Sequence, residues 1–346
     1  MRSRRSGLLA ALLLVLAAAP PRAAATPVPW GPLTMLSREV APGQREKLTY
    51  GLLTSFVENE FDTTVVALRG RNAGPTLCVV AGVRGDELNG VEIARRLTIE
   101  VDPQQLAGTL LVVPIANLAA FRNGARQLPD GSDLDRAFPG SPTGGTAARI
   151  AQALFDPVIR QCQAVIDLHS AAPGRRVPPQ LRTDLANPDA VGLARVFGGV
   201  VLGGRGAAGS LRRAALDAGI PALSYVAGAP GRFDAAEIAQ GVDGLRRALA
   251  DLGMIAPQPA VAAATVFHAT QWVRVPEGSG GIFLTARQPG EEVRQGEMLG
   301  SVTDPLTERR IDIVAPRSGR LVAVAEPRVL LPGAPLFQLA FEPPPA

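Results

Sequence analysis

Two short segments of this chain hold the side chains best suited to chemistry. In "VVAGVRGDELNG", residues 79–90, an apolar strand-like run enters a tight glycine-containing turn and leaves it as a helix. Arg84 and Glu87 stand three residues apart on that turn. A His-x-x-Glu pair at the same spacing can hold zinc, because an imidazole and a carboxylate then reach one ion. Here the first position is a guanidinium, which has no lone pair to offer and repels a dication. The spacing instead brings Arg84 within reach of Glu87. An ion pair there would replace the metal's charge and spare a buried carboxylate a cost of several kcal/mol, on the order of that for other stranded charges. The competing expectation is an Arg84 that simply points to solvent. The second segment, "AVIDLHS", carries Asp167 and His169 at the end of a strand-like run. The other histidine, His268, lies far along the chain and is expected to be structural or exposed.

These residues need a scaffold, and the hydrophobic pattern supplies one. Apolar runs at 76–83, 109–117 and 164–170 alternate with helical patterns such as "NGVEIARRLTI", "TAARIAQALFDPVIRQ" and a long helix over 234–252. Continuous apolar strands separated by helices predict an α/β fold, a parallel or mixed sheet covered by helices on both faces. A Pro- and Ala-rich linker over 256–264 ends the α/β domain that spans 26–255. Residues 265–346 show short strands punctuated by Gly and Pro with no helical period, the pattern of a small all-β C-terminal domain.

Four segments in order, "AGVRGDELNG", "NGARQLPDGSDLDRAFPG", "VIDLHS" and "IPALSYVAGAPGRF", resemble the succinylglutamate desuccinylase/aspartoacylase family of zinc deacylases. The resemblance runs over most of the chain after its first segment and implies a carboxypeptidase-like fold. It also implies zinc ligands at Arg84, Glu87 and His169, of which only Glu87 and His169 keep a ligating side chain. The family's general-base glutamate falls on Val226, which cannot take a proton. The family's carboxylate-binding loop falls on Arg126, Asp135 and Arg136, with Asp135 standing where the family has Asn. A planar guanidinium fork suits a carboxylate bidentately. Arg136 has a competing structural role, a salt bridge to Asp133 or Asp135. Should another base serve, Asp86, Asp135 and Asp167 are the nearby candidates. The β region resembles the family's own C-terminal domain and, more distantly, biotinyl and lipoyl hammerheads. The chain's single lysine is Lys47, so covalent carriage by that region is excluded.

The chain's first 25 residues read as a secretory signal. A basic start with Arg2, Arg4 and Arg5 precedes an apolar run over 7–19, too short for a membrane span, and an A-x-A site near Ala25. Four of the chain's 35 basic residues (Arg2, Arg4, Arg5 and Arg22) lie in that segment, leaving 31 against 31 acids. With charge balanced and no basic run, a nucleic-acid partner is excluded. Cys78 and Cys162 cannot form a disulfide framework and are expected as buried free thiols, with a single bridge as the alternative. The expected protein is therefore periplasmic or secreted, without a membrane span after cleavage, and a pseudoenzyme. It would bind a small carboxylate, a peptide-like ligand or a periplasmic partner protein, with no cofactor, or zinc if the family site still works. The alternatives are a metal-dependent hydrolase of N-acyl amino acids, peptides or esters, and a structural subunit of an envelope complex.

Overall fold

Leu77, Val79, Ile166 and Leu168 face one hydrophobic core while Cys78, Val80 and Val165 face another. Such strands are buried on both sides, so they read as unbroken apolar runs rather than as alternating ones. A computed structural model describes residues 30–51 and 62–342. The signal segment at 1–25 lies outside the described residues. Among those described, no helix is long and apolar enough to cross a membrane.

A small hairpin of β1 (Leu33–Met35) and β2 (Arg38–Val40) leads into β3 (Gln44–Tyr50), β4 (Thr63–Arg69), β5 (Asn72–Val80), α1 (Leu88–Glu100), β6 (Ala107–Val113) and α2 (Leu118–Arg122). Next come α3 (Thr146–Phe155), β7 (Ala164–His169), β8 (Arg175–Arg176), β9 (Gln180–Thr183), α4 (Pro188–Phe197) and β10 (Val200–Gly203). The series closes with α5 (Leu211–Asp217), β11 (Ala222–Val226), α6 (Ala235–Asp251) and β12 (Thr265–Phe267). Nine strands form one mixed sheet in the order β12-β10-β9-β11-β7-β5-β6-β4-β3. Its centre, β11-β7-β5-β6, is parallel, and β9 runs antiparallel to β11. Helices α1, α4 and α6 cover one face, and α3 and α5 the other.

Beyond the linker, β13 (Ala269–Arg274), β14 (Gly281–Thr285), β15 (Glu292–Val293), β16 (Met298–Thr303), β17 (Arg310–Val314), β18 (Gly319–Ala325), β19 (Arg328–Leu330) and β20 (Pro335–Phe341) build two antiparallel sheets. The boundary differs from the sequence expectation in two places. β12, the first strand after the linker, joins the large sheet through a parallel pairing with β10. In exchange, β8 pairs with β18 and so belongs to the five-stranded C-terminal sheet. Apolar contacts follow the same path, with Leu202 and Phe267 packed against Val322 and Ala340. Residues Gly31–Ala346 accordingly form one compact unit.

The expectation of free thiols is corrected. Cys78 in β5 and Cys162, just before β7, are bridged, with Cα atoms 5.8 Å apart across 84 residues of chain. β5 and β7 are parallel neighbours with Cys78 opposite Val165, and the 3-10 turn Ile159–Gln161 that leads into β7 leaves Cys162 beside Cys78. Closing so long a loop restricts the unfolded chain and typically stabilises by about 2–4 kcal/mol.

Helix α6 opens on a half-made capping box. Asp234 accepts hydrogen bonds from the Ala236 and Glu237 amides, but its own N–H is taken by Asn89 Oδ1 at 2.9 Å. The Glu237 side chain therefore has no backbone donor to reach back to. Its Oε2 is buried without a hydrogen-bond partner. Burial, with Asp234 nearby, pushes the Glu237 carboxyl up to about 7. An acid raised in the folded state contributes stability that is full below its ordinary pKa and lost as pH rises through 7. Glu237→Gln should remove that loss, gaining about 1 kcal/mol at pH 8 relative to pH 5 after allowance for solvent screening. Thermal melts of both proteins across this range check it, and identical pH profiles would contradict it.

Candidate functional site

The turn that carries Arg84 and Glu87 is set by backbone approach. The Glu87 amide donates to the Arg84 carbonyl at 3.2 Å, and α1 begins at the next residue. Gly85 passes so close to the Ala120–Phe121 backbone that a Cβ there would lie 2.2 Å from it. The first turn of α1 is then tied down by Asn89, which donates to the Ala227 carbonyl and accepts from the Asp234 amide. Glu87 is thus fixed at the carboxyl end of β5, beside the end of β7 that presents Asp167 and His169. Ligand crevices of open α/β sheets lie at such strand ends.

Arg84 does not point to solvent. Its Nη1 lies 2.9 Å from Asp135 Oδ2 and 3.7 Å from Glu87 Oε1, and its Nη2 lies 3.0 Å from Asp133 Oδ2. Burial alone would lower its pKa, but Asp135, Glu87 and Asp133 more than reverse this and hold the guanidinium charged. His169 is engaged on both ring nitrogens: Nδ1 meets Glu87 Oε2 at 2.8 Å and Nε2 meets Asp167 Oδ2 at 2.7 Å. Two carboxylate acceptors require two N–H donors, so the ring is an imidazolium. Desolvation opposes that charge, and Asp167 and Glu87 overcome it, raising the pKa well above the usual histidine range. Arg126 completes the cluster, 3.3 Å from Asp86 and 3.6 Å from Glu87. Asp135 is the least settled acid: burial pushes it up to about 6, against the pull of His169 and Arg84.

These groups line part of a cavity of about 390 Å³ whose other walls come from β9, β11, α5 and the five-stranded C-terminal sheet. Arg182 of β9 and Arg212 of α5 also face it. Arg212 is 8 % exposed, and among the described residues neither arginine has a carboxylate within ion-pair distance. Burial lowers both, Arg182 to about 10 with Arg212 and Arg175 beside it. Gly206 leaves room for the Arg212 guanidinium, since a Cβ there would sit 3.1 Å from it.

The sequence-derived site residues divide accordingly. Arg84, Glu87, Arg126, Asp135, His169 and Val226 all line the cavity. Arg136, expected beside them as a carboxylate clamp, is a correction. Its side chain is 71 % exposed, outside the cavity, and reaches only Asp133 at 3.7 Å. The reason is the 3-10 turn Leu134–Arg136, which rotates adjacent residues about 120° apart. Asp135 turns in and Arg136 turns out. His268 lies apart, exposed and paired with Glu342. The sequence reading missed Arg182, Arg212 and Trp272. A charged residue two positions from Gln180 in a short strand between buried neighbours was the available signal for Arg182.

The family's zinc does not fit its ligand positions as they stand. Arg84 occupies the first of them with ion pairs on both sides, and His169 has no free ring nitrogen. A second donor set exists: Asp135, Asp167 and His169 present ligand atoms within 4.8 Å of one another. A dication there would have to take Asp135 from Arg84 and separate Asp167 from His169.

A carboxypeptidase-like mixed sheet with an appended all-β region and a strand-end cavity defines the deacylase class of fold. The catalytic-domain model of the succinylglutamate desuccinylase/aspartoacylase family matches residues 73–252, and the chain belongs to that family. It is similar to a succinylglutamate desuccinylase/aspartoacylase structure from Rhodobacter sphaeroides, with TM-score 0.76 and 23% identity over 86% of this chain and 95% of that one. The product-bound ectoine utilization protein EutE (DoeB) of Ruegeria pomeroyi gives TM-score 0.75 and 22% identity over 90% and 98%. An N-alpha-acetyl-L-2,4-diaminobutyric acid deacetylase of Halomonas elongata is 34% identical over 101 residues. That match spans 29% of this chain and 30% of the deacetylase.

Proposed function

We propose that this protein is an exported pseudoenzyme of its family, which keeps the substrate cavity and uses it to bind a small carboxylate rather than to hydrolyse one. The observation that carries this reading is Arg84, whose guanidinium stands at the first metal position and is balanced by Glu87, Asp133 and Asp135. Without a metal, Asp86, Glu87, Asp133, Asp135 and Asp167 stand around Arg84, Arg126 and His169, an excess of two acids that Arg182 and Arg212 balance only from a distance, without direct ion pairs. Among the described residues, Arg182 and Arg212 have no carboxylate within ion-pair distance, and a ligand anion would give these guanidiniums the direct partner they lack. Val226 removes the proton acceptor, so the losses fall on metal binding and on proton transfer separately. Export is supported by the basic-apolar leader and by the Cys78–Cys162 bridge, which suits an oxidising compartment. The relative from Halomonas elongata is named for an N-acetylated amino acid, and ligands of that size and charge are the natural first screen.

Asp135, Asp167 and His169 support a second reading, a hydrolase with a relocated metal. Metal analysis separates the two. The purified protein should retain well under one zinc per chain after dialysis, while N-acyl amino acids or simple carboxylates raise its melting temperature by mass action. Arg212→Gln should abolish that shift. Stoichiometric zinc surviving dialysis would establish the hydrolase reading in its place.

A further inference from the structure

The cavity has two unlike walls. Adjoining the charged cluster, with Val226 the register partner of His169, Ala171, Val177, Val226, Ala323 and Trp272 pack into one apolar group, and all five line the cavity. They come from three parts of the chain. Val226 ends β11, Ala171 and Val177 lie in the segment after β7, and Ala323 and Trp272 belong to the five-stranded C-terminal sheet. The Trp272 ring is steadied by the Arg175 guanidinium, stacked 4.6 Å from its centroid. Pairing of β8 with β18 holds this wall against the α/β body.

The sheet register orders the polar and apolar features. In the antiparallel pairing of β9 with β11, Arg182 lies opposite Ser224, and Gln180 lies opposite Val226. Ser224 and Val226 are two apart on one strand and share a face, as do Gln180 and Arg182. The Arg182 end of this face is therefore cationic, with Arg212 beside it, while at the other end Val226 lines the cavity and its partner Gln180, buried, does not. The axis from one to the other is two residues of strand, or about 7 Å. A fully polar ligand would leave the apolar wall facing water or unsatisfied groups. A fully apolar one would leave Arg182 and Arg212 without a counter-charge.

On the reading that the cavity binds a carboxylate, we propose that its ligand is an amphipathic monocarboxylate. The carboxylate sits on Arg182 and Arg212, and an unbranched hydrocarbon tail of several carbons lies along Val226, Val177, Ala323 and Trp272. Val226 is then a specificity-determining residue, the position at which an acid would repel the tail.

Isothermal titration of the exported chain with acetate, butanoate, hexanoate and octanoate tests this. Affinity should rise about fourfold for each added methylene until the tail fills the wall. Val226→Asn should flatten that dependence while leaving acetate binding in place. Trp272→Ala, at a less buried position, should flatten it as well and serves if Val226→Asn does not fold. Equal affinities along the series, or a dependence untouched by both variants, would overturn the proposal while leaving carboxylate binding intact. Failure of every acid to bind, or binding indifferent to Arg212→Gln, would overturn the underlying reading as well.

Discussion

Replacing Arg84 by methionine should cost the folded chain about 3–5 kcal/mol, the usual penalty for removing one partner of a buried ion cluster. The side chain is 14% exposed and is the nearest cation to both Asp133 and Asp135. Methionine fills similar space, so the loss is of charge rather than volume. The deficit should be largest near neutral pH and should narrow below pH 6, where Asp135, already pushed up to about 6 by burial, takes a proton. Arg84→Lys should fall between the two, keeping the charge but not a fork that spans Asp133 and Asp135. Urea denaturation at pH 7 and pH 5 measures all three. A methionine variant as stable as the parent would show that the acids are held by something other than this guanidinium.

The second large effect is a gain. Arg84→His should supply the missing imidazole beside Glu87 and His169 and raise zinc affinity. That change alone should give little turnover, since Val226 offers no base. Adding Val226→Glu should supply one, and zinc-dependent hydrolysis of N-acetyl amino acids should then exceed that of either single variant by about 10²–10⁴-fold. Val226 is 6 % exposed and packed on Ala171, Val177 and Ala323, so the glutamate has a stability cost and melts must accompany the assay. If the parent already hydrolyses these substrates and either substitution slows it, then Arg84 and Val226 belong to a working site of another design.

Much of this site was legible before the fold was known. The Arg84–Glu87 pairing follows from three-residue spacing on a turn, and the doubly buried strands follow from unbroken apolar runs. Local periodicity carries such information because it is local. What it could not carry was the company each residue keeps. Arg182 and Arg212 sit on elements nearly a hundred residues or more from Arg84, and nothing in their own segments separates them from surface arginines. Asp133 became a partner of Arg84 only through the loop that brings it back to the turn before α1. Arg136 was misplaced because adjacent residues on a 3-10 turn cannot both face inward. Cys78 and Cys162 meet only through the pairing of β5 with β7 and the turn that leads into β7. Each of these depends on tertiary placement, which composition and spacing do not encode.

The pairing of β8 with β18 has a kinetic corollary. Arg175 and Arg176 are hydrogen-bonded into the ladder of Val324 and Ala325, the residues that follow Ala323 in β18. A wall stitched to the body in this way cannot swing aside as a door without breaking a strand pair. Ligand exchange must instead thread past lining side chains, Arg175 and Gln338 among them. Residence time is then governed by side-chain rearrangement at the mouth. Two ligands of equal affinity should leave at rates ordered by their girth.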